Sequence, residues 1–400
     1  QRRRQRRTRQ RSWKTSRQMQ QVIQRGSGCI RGLAARIRDS GVRRVLVLHG
    51  RTSFEASGVR EILASLRGVD FGFFADVPAN PELATVKRCL EVFKASAPDA
   101  VLAIGGGSVI DTAKAVIAFS SGALESDILA NKFNPGTGRP HFWAAPTTAG
   151  SGSEATHFAV LYKDNIKYSI ANQALKPDTV FLDPDLVVSC PVNLSLASGA
   201  DAVCQAVESW WSRGATEESR SFSVQALSRL LTTLFRTVEE PRNIPARQAM
   251  LEGAHLAGRA IDLTKTTAGH ALSYGLTSTF GLPHGLAVLA VMGPLVDLMD
   301  ARHSFFGTCL DLDTAFKDFG ERFVPAFSNF RTRVLSAAGV MTHGKPATSE
   351  ADLVDTLVSG VNVERLSNHP VALTEADIAE MYQSILVELS GLIMLKDSGR

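Results

Sequence analysis

The segment that most constrains this chain is Gly105-Gly106-Gly107-Ser108-Val109-Ile110-Asp111-Thr112-Ala113-Lys114, which follows the apolar run Ala100-Val101-Leu102-Ala103-Ile104. A buried strand that ends in glycines and turns into a helix builds an anion site. The glycines let backbone approach a phosphate, and the helix's free N–H groups and dipole favour negative charge. A glycine triplet alone also fits a plain turn. Here a second strand-like run leads into Pro146-Thr147-Thr148-Ala149-Gly150-Ser151-Gly152-Ser153-Glu154, another loop of small and hydroxyl side chains. Two such loops at strand ends predict a dinucleotide cradle.

Residues 42–184 alternate strand-like runs with helical patterns. Strands are predicted at Val42–His49, Val69–Phe74, Ala100–Ile104, His141–Ala145 and Thr179–Leu182, and helices at Glu82–Ser96 and Val109–Ser120. Such alternation implies a mostly parallel sheet covered on both faces. From Gly199 onward strand signals vanish, and segments at 200–213, 217–238, 245–262, 286–300, 313–338 and 374–390 carry helical spacing. The expected plan is a disordered basic extension over 1–25, a Rossmann-like α/β nucleotide-binding domain over 26–186 and an all-α domain over 187–400. Asn134–Pro140 and Thr342–Thr348 read as surface connections.

Charge is unevenly placed. The first 25 residues carry nine Arg, one Lys and no acid, so removing those ten charges turns the net +5 of the chain into −5 for the rest. Too polar to fold alone, that stretch has only Trp13 to stack on a base, so no nucleic-acid partner is expected. No apolar run reaches the ~18 residues that span a bilayer; the longest lies around Leu286–Met292, and no membrane partner is expected. No secretory leader pattern is seen. Cys29, Cys89, Cys190, Cys204 and Cys309 are scattered without a Cys-x-x-Cys, which suits a reducing, cytoplasmic setting.

In the helical half, Asp201, Gln205 and Glu208 stand at i, i+4 and i+7 of one helix, and His270 and His284 follow in Gly-rich apolar settings. Any one of them fits a hydrogen-bonded core residue. Together, a carboxylate, an amide oxygen and two imidazoles could bind one divalent cation.

Three blocks in order, Gly105–Lys114, Pro146–Glu154 and Phe280-Gly281-Leu282-Pro283-His284-Gly285, resemble the iron-containing (group III) alcohol dehydrogenase family, with Asn80-Pro81 and Asp183-Pro184 in support. The resemblance implies an N-terminal Rossmann-like domain, a helical C-terminal domain and a cleft between them for NAD(P) and a catalytic metal. The family's ligand pattern falls on Asp201, Gln205, His270 and His284, with Gln205 where a His is usual and Tyr274 where many members carry another His. The implied cofactor contacts are Gly50, Arg51, Ser53, Asn80, Gly105, Gly106, Gly107, Ser108, Asp111, Thr147, Thr148, Ser151 and Lys167. The metal would be Fe²⁺, with another divalent ion such as Zn²⁺ also compatible. A homodimer is compatible too.

Gly253–Tyr274 and Val363–Val371 look like the phosphonoacetaldehyde reductase branch, which reduces phosphonoacetaldehyde to 2-hydroxyethylphosphonate in phosphonate antibiotic pathways. A small anionic aldehyde calls for a cation beside the metal, and Lys265 and Arg259 are the candidates. Tyr274 is the candidate proton donor. His49-Gly50-Arg51-Thr52-Ser53 holds no acid to bond the ribose hydroxyls or repel a 2′-phosphate, which points to NADPH, with NADH also compatible. The rival classes are a general alcohol dehydrogenase on simple aldehydes, a dehydroquinate synthase-like lyase with the same two-domain plan, a silent binding protein motivated by Gln205, and a nucleic-acid binder acting through residues 1–25.

Overall fold

The computed structural model describes residues 21–397 apart from 137, 165, 304, 308, 340–349 and 362. Its strands are β1 (Val22–Arg25), β2 (Arg44–His49), β3 (Asp70–Phe74), β4 (Ala100–Gly105), β5 (His141–Pro146), β6 (Phe158–Lys163), β7 (Ile166–Ala171) and β8 (Thr179–Leu182). Among them run α1 (Leu33–Ser40), α2 (Arg51–Ala56), α3 (Val59–Ser65), α4 (Leu83–Ser96), α5 (Gly107–Phe119) and α6 (Glu125–Leu129). The rest is helical: α7 (Val192–Trp211), α8 (Glu217–Glu239), α9 (Ile244–Thr264), α10 (Ala268–Phe280), α11 (His284–His303), α12 (Leu310–Ala315), α13 (Phe323–Ala338), α14 (Glu350–Ser359) and α15 (Glu375–Asp397).

Six parallel strands form one sheet in the order β1-β8-β5-β4-β2-β3. Successive residues of a strand point to opposite faces. Leu46, Leu48, Val101, Ala103, Phe142 and Ala144 therefore join one apolar cluster, while Val45, Val47, Leu102, Ile104, Trp143 and Ala145 join another. Both faces are covered, which is why these strands read as continuous apolar runs. The chain steps from β2 outward to β3, returns to β4 and continues the other way to β5, so its direction reverses between β2 and β4. Ligands of open α/β sheets bind at the strand ends beside such a reversal.

Several expectations need correction. The N-terminal extension does not reach residue 25: Val22–Arg25 is an edge strand, in register from Val22 against Thr179 to Arg25 against Leu182. Two apolar residues suffice because an edge strand has one neighbour, and the buried Asp183 carboxylate then holds the next turn by accepting from Gly28 N (3.1 Å) and Ile30 N (3.0 Å). The rest of the basic stretch, and Thr342–Thr348, lie outside the described residues. An antiparallel hairpin, β6–β7, interrupts the α/β pattern. The predicted helix over 313–338 is two helices, α12 and α13, parted around Gly320, and α10 is a helix that the spacing missed. The apolar run Leu286–Met292 lies on α11, whose segment His284–Arg302 is long and apolar enough to span a bilayer; here Leu286–Met292 are buried among the other helices.

Candidate active site

The two glycine-bearing loops meet. β4 ends at Gly105 and α5 starts at Gly107, whose N-terminus carries no side-chain cap, so its first amides stay available to an anion. A Cβ on Gly107 would lie 2.6 Å from Ser151 Oγ, and one on Gly106 would lie 3.2 Å from Thr148 Oγ1. Only glycine lets the second loop pack this closely. Thr147 N donates to Gly105 O (3.0 Å), and Ser108 Oγ donates to Ala79 O, beside Asn80. Asp111 does not offer a free carboxylate, because it accepts from Ser153 Oγ (2.5 Å) and Val160 N (2.9 Å). Lys114, fully buried, donates to Ser153 O, Ser153 Oγ, Thr156 Oγ1 and Phe158 O at 2.6–3.0 Å. Burial pushes its ammonium down to about 8, against the pull of Asp111. Asp111 and Lys114 thus fix the shape of the second loop.

At the other end of the cleft, α2 begins at Arg51, just after Gly50, and a Cβ on Gly50 would meet Ser53 Oγ at 2.7 Å. No acid stands in this turn, yet the fold brings one to it. Asp76, beyond β3, accepts from Arg51 (3.2 Å) and from Arg88 of α4 (2.7 Å). Sequence reasoning missed Asp76 and Arg88 because both are remote from the His49–Ser53 turn in the chain.

The fold brings three of the metal candidates together. Asp201, His270 and His284, from α7, α10 and the first position of α11, offer ligand atoms all within 4.8 Å of one another. His270 Nε2 lies 3.1 Å from Asp201 Oδ1, and His284 Nε2 lies 3.9 Å from the same oxygen. Gln205, one turn on from Asp201, donates through Nε2 to Asp201 Oδ2 (3.0 Å) and to Ser151 O of the second loop (3.4 Å). Its Oε1 is buried and has no hydrogen-bond partner among the described residues. Such an orphan costs free energy unless something accepts its lone pairs, and a cation held by Asp201, His270 and His284 would do so.

Glu208, fully buried, is the residue whose role the sequence hid. One oxygen faces His270 Nδ1; the other accepts from Thr267 N (3.0 Å), Thr267 Oγ1 (2.8 Å) and His270 N (3.3 Å). This fixes the ring and leaves Nε2 toward Asp201, the arrangement that carboxylates give metal-binding histidines. Burial disfavours the His270 cation, but the Glu208 charge and the bonds to Asp201 and Glu208 outweigh it and push the ring up to about 10. A metal must displace that proton.

Tyr274, one turn beyond His270, stacks on His284 with rings 6.1 Å apart and 2° from parallel. Lys167 of β7 places its ammonium 3.5 Å from the centre of the Tyr274 ring and bears electrostatically on Asp201, His284 and Asp111. Its charge is thus felt both by the metal candidates and by Asp111 of α5. The Arg259 guanidinium lies over the Phe222 ring at 4.0 Å. Lys265 is exposed, at the C-terminal end of α9, with φ 60° and ψ 176°. Between the two halves, a Cβ on Gly152 would lie 2.5 Å from Gly258 Cα, so the second loop and α9 touch backbone to backbone. Asp262 of α9 is held by His157 (2.6 Å) and Lys176 (2.7 Å), and His255 pairs with Glu154 at 3.2 Å.

The family model for iron-containing alcohol dehydrogenase matches residues 21–184, and that for the C-terminal part of the same family matches residues 195–386. The chain belongs to the iron-containing alcohol dehydrogenase family. A phosphonoacetaldehyde reductase of Streptomyces viridochromogenes is 34% identical over 283 residues, 68% of this chain and 67% of that protein. A long-chain-alcohol dehydrogenase of Geobacillus thermodenitrificans is 28% identical over 90% of this chain and 93% of its own length. Among solved structures, the sulfoacetaldehyde reductase of Bifidobacterium kashiwanohense in complex with NAD⁺ superposes with TM-score 0.80 at 26% identity, covering 91% of this chain and 96% of that one. This iron-containing alcohol dehydrogenase is therefore an NAD(P)-dependent oxidoreductase, and the family match favours that class over the lyase. Its metal candidates are Asp201, Gln205, His270 and His284, and the orphan Gln205 Oε1 fits the family's metal.

Proposed function

We propose that this enzyme reduces a small acidic aldehyde of the phosphonoacetaldehyde type to its alcohol with NADPH, and that Lys265 meets the acid group. The observation that carries the substrate reading is the Lys265 backbone. Its φ of 60° and ψ of 176° lie in a region that is essentially glycine-only, where a side chain costs about 1–3 kcal/mol and persists at functional sites held by their surroundings. Lys265 stands two residues before Thr267, which shares the Glu208 carboxylate with His270. Two relatives support the reading, since their names carry a phosphono- and a sulfo-acetaldehyde.

When bound, the divalent ion supplies Lewis acidity to a carbonyl oxygen and the nicotinamide supplies hydride. The donor set of a carboxylate, an amide oxygen and two imidazoles suits Fe²⁺ and also accepts Zn²⁺. The chain's own residues do the positioning. Glu208 holds His270, and Gln205 ties Asp201 to Ser151 of the nucleotide loop, so the two halves of the reaction share one register. Tyr274, under the Lys167 ammonium and against His284, is the proposed source of the product's proton. NADPH rests on Gly50 and on two arginines, Arg51 and Arg88, facing the single Asp76. Five unpaired cysteines suit a cytoplasmic location; no membrane or nucleic-acid partner is part of the proposal.

NADPH-oxidation traces with phosphonoacetaldehyde and with propanal test the reading. The expected outcome is a kcat/KM at least about tenfold higher for the phosphonate, the size of a charge-assisted contact. Equal efficiencies would leave a general dehydrogenase of simple aldehydes, the second reading, which the long-chain-alcohol relative favours.

A further inference from the structure

Lys265 can sit in a glycine-only conformation only if its neighbours hold it there. The carbonyls on either side of it, Thr264 O and Thr266 O, both accept from one donor group: Asn368 Nδ2, at 2.7 and 3.1 Å. Asn368 closes the short turn Val363–Asn368, about a hundred residues further along the chain. It is itself fixed. Its Oδ1 accepts from Ser212 Oγ (3.0 Å), its main-chain oxygen accepts from Arg213 N (3.1 Å), and Ser212 Oγ also reaches Thr264 O (3.4 Å). Ser212 immediately follows α7, the helix that carries Asp201, Gln205 and Glu208. On the other side of Lys265, Lys265 N donates to Ile261 O (2.7 Å), and Thr267 N is bound by Glu208. Thr264 Oγ1 also donates to Lys265 O (2.9 Å), so relaxing the Lys265 backbone would break at least one of these bonds.

We infer that Asn368 is a positioning residue for substrate specificity: it clamps the Thr264–Thr266 turn and so holds Lys265 where the acid group of the substrate is bound. This rests on the reading that Lys265 meets that group. Asn368 acts through Lys265 and not on the reacting carbonyl, so its loss should be felt in binding of an acidic aldehyde and not in the chemical step.

The test is a double-mutant cycle on the metal- and cofactor-loaded enzyme. Steady-state kinetics are read with phosphonoacetaldehyde and propanal, and calorimetric binding with 2-hydroxyethylphosphonate. Asn368→Ala is expected to raise KM for phosphonoacetaldehyde roughly tenfold, the loss of one charge-assisted contact, and to weaken 2-hydroxyethylphosphonate binding equally. The kcat and the propanal KM should stay within about twofold. Lys265→Gly removes both the cation and the backbone strain, so it should show the same selective loss together with a higher melting temperature. In the Lys265→Gly background, Asn368→Ala should change neither KM nor phosphonate binding further. Asn368→Asp keeps the volume and loses both N–H donors, and carries the same expectation if the alanine variant does not fold. Equal effects of Asn368→Ala with and without Lys265, or parallel losses for both aldehydes, overturn the positioning role. A Lys265→Gly variant with no selective loss overturns the acid-group reading itself.

Discussion

Glu208 spends one oxygen on Thr267 and the His270 amide and the other on the His270 ring. Glu208→Gln keeps the size but replaces a charged acceptor by an amide that cannot hold the ring as firmly. The expected result is a 10- to 100-fold loss of metal affinity, roughly the effect of removing such outer partners, read by competition with a chelator. Unchanged affinity would mean that the ring is fixed by packing alone. At the nucleotide end, Asp76→Asn should raise the NADPH-over-NADH ratio of kcat/KM about two- to fivefold, the scale of one exposed charge, by freeing Arg51 and Arg88 for a 2′-phosphate. A ratio that falls would show Asp76 to be a ribose ligand. These residues mark where reading the chain alone stopped. Asp201, Gln205, His270 and His284 were singled out by the family resemblance, and the fold brings Asp201, His270 and His284 within 4.8 Å of one another. Asp76, Glu208 and Asn368 act on partners 25, 62 and 104 residues away, and ordinary polar residues give no local sign of that.

The same division appears among the elements. β2, β4, β5 and β8 are buried on both faces and read as apolar runs, whereas β1 lies in a polar stretch and gains its order from β8. The β6–β7 hairpin escaped because Asp164, at φ 52°, supplies the left-handed turn residue without the usual glycine signal. Helix packing also sets the metal site. A Cβ on Gly285, in the first turn of α11, would lie 1.9 Å from Ala197 O and 2.9 Å from Asp201 Cβ. Gly285→Ala must therefore push α11 off α7 and part His284 from Asp201. The enzyme should fold but lose stoichiometric metal, as elemental analysis would show; full metal content would mean that the helices adjust elsewhere. His369, next to the Asn368 clamp, is 1% exposed, edge-on to Trp211 at 6.0 Å, with both ring nitrogens unpartnered among the described residues. Burial pushes it down to about 4 from its ordinary 6.5. A lowered folded pKa means the unfolded chain binds the proton first, so this stability is present above about pH 6.5 and lost as pH falls toward 4, up to about 3 kcal/mol. Denaturant titrations of the parent and of His369→Phe should diverge across that window. Parallel curves would place the acid sensitivity elsewhere.

At the scale of the whole molecule, the two halves are joined where the second nucleotide loop meets α9: Gly152 on Gly258, Glu154 on His255, and His157 and Lys176 on Asp262. The division into an α/β half and a helical half was legible from the change of period along the chain. The seam was not, because it is built from isolated glycines and from pairs about a hundred residues apart. Gly258→Ala would drive a methyl to 2.5 Å from Gly152 O. It should wedge the halves apart and raise KM for the cofactor more than for the aldehyde; an unchanged cofactor KM would show a seam with room to spare. Two backbones in contact, with no room for a Cβ between them, fix the spacing of the halves at this point. If nucleotide exchange moves one half against the other, what lies beside Gly152 and Gly258 should move least. Gln205, 3.4 Å from Ser151 O, is beside them, with Asp201 one turn away. The cation should therefore stay seated while cofactors come and go, and its loss into a chelator should run at the same pace whether the enzyme is idle or turning over.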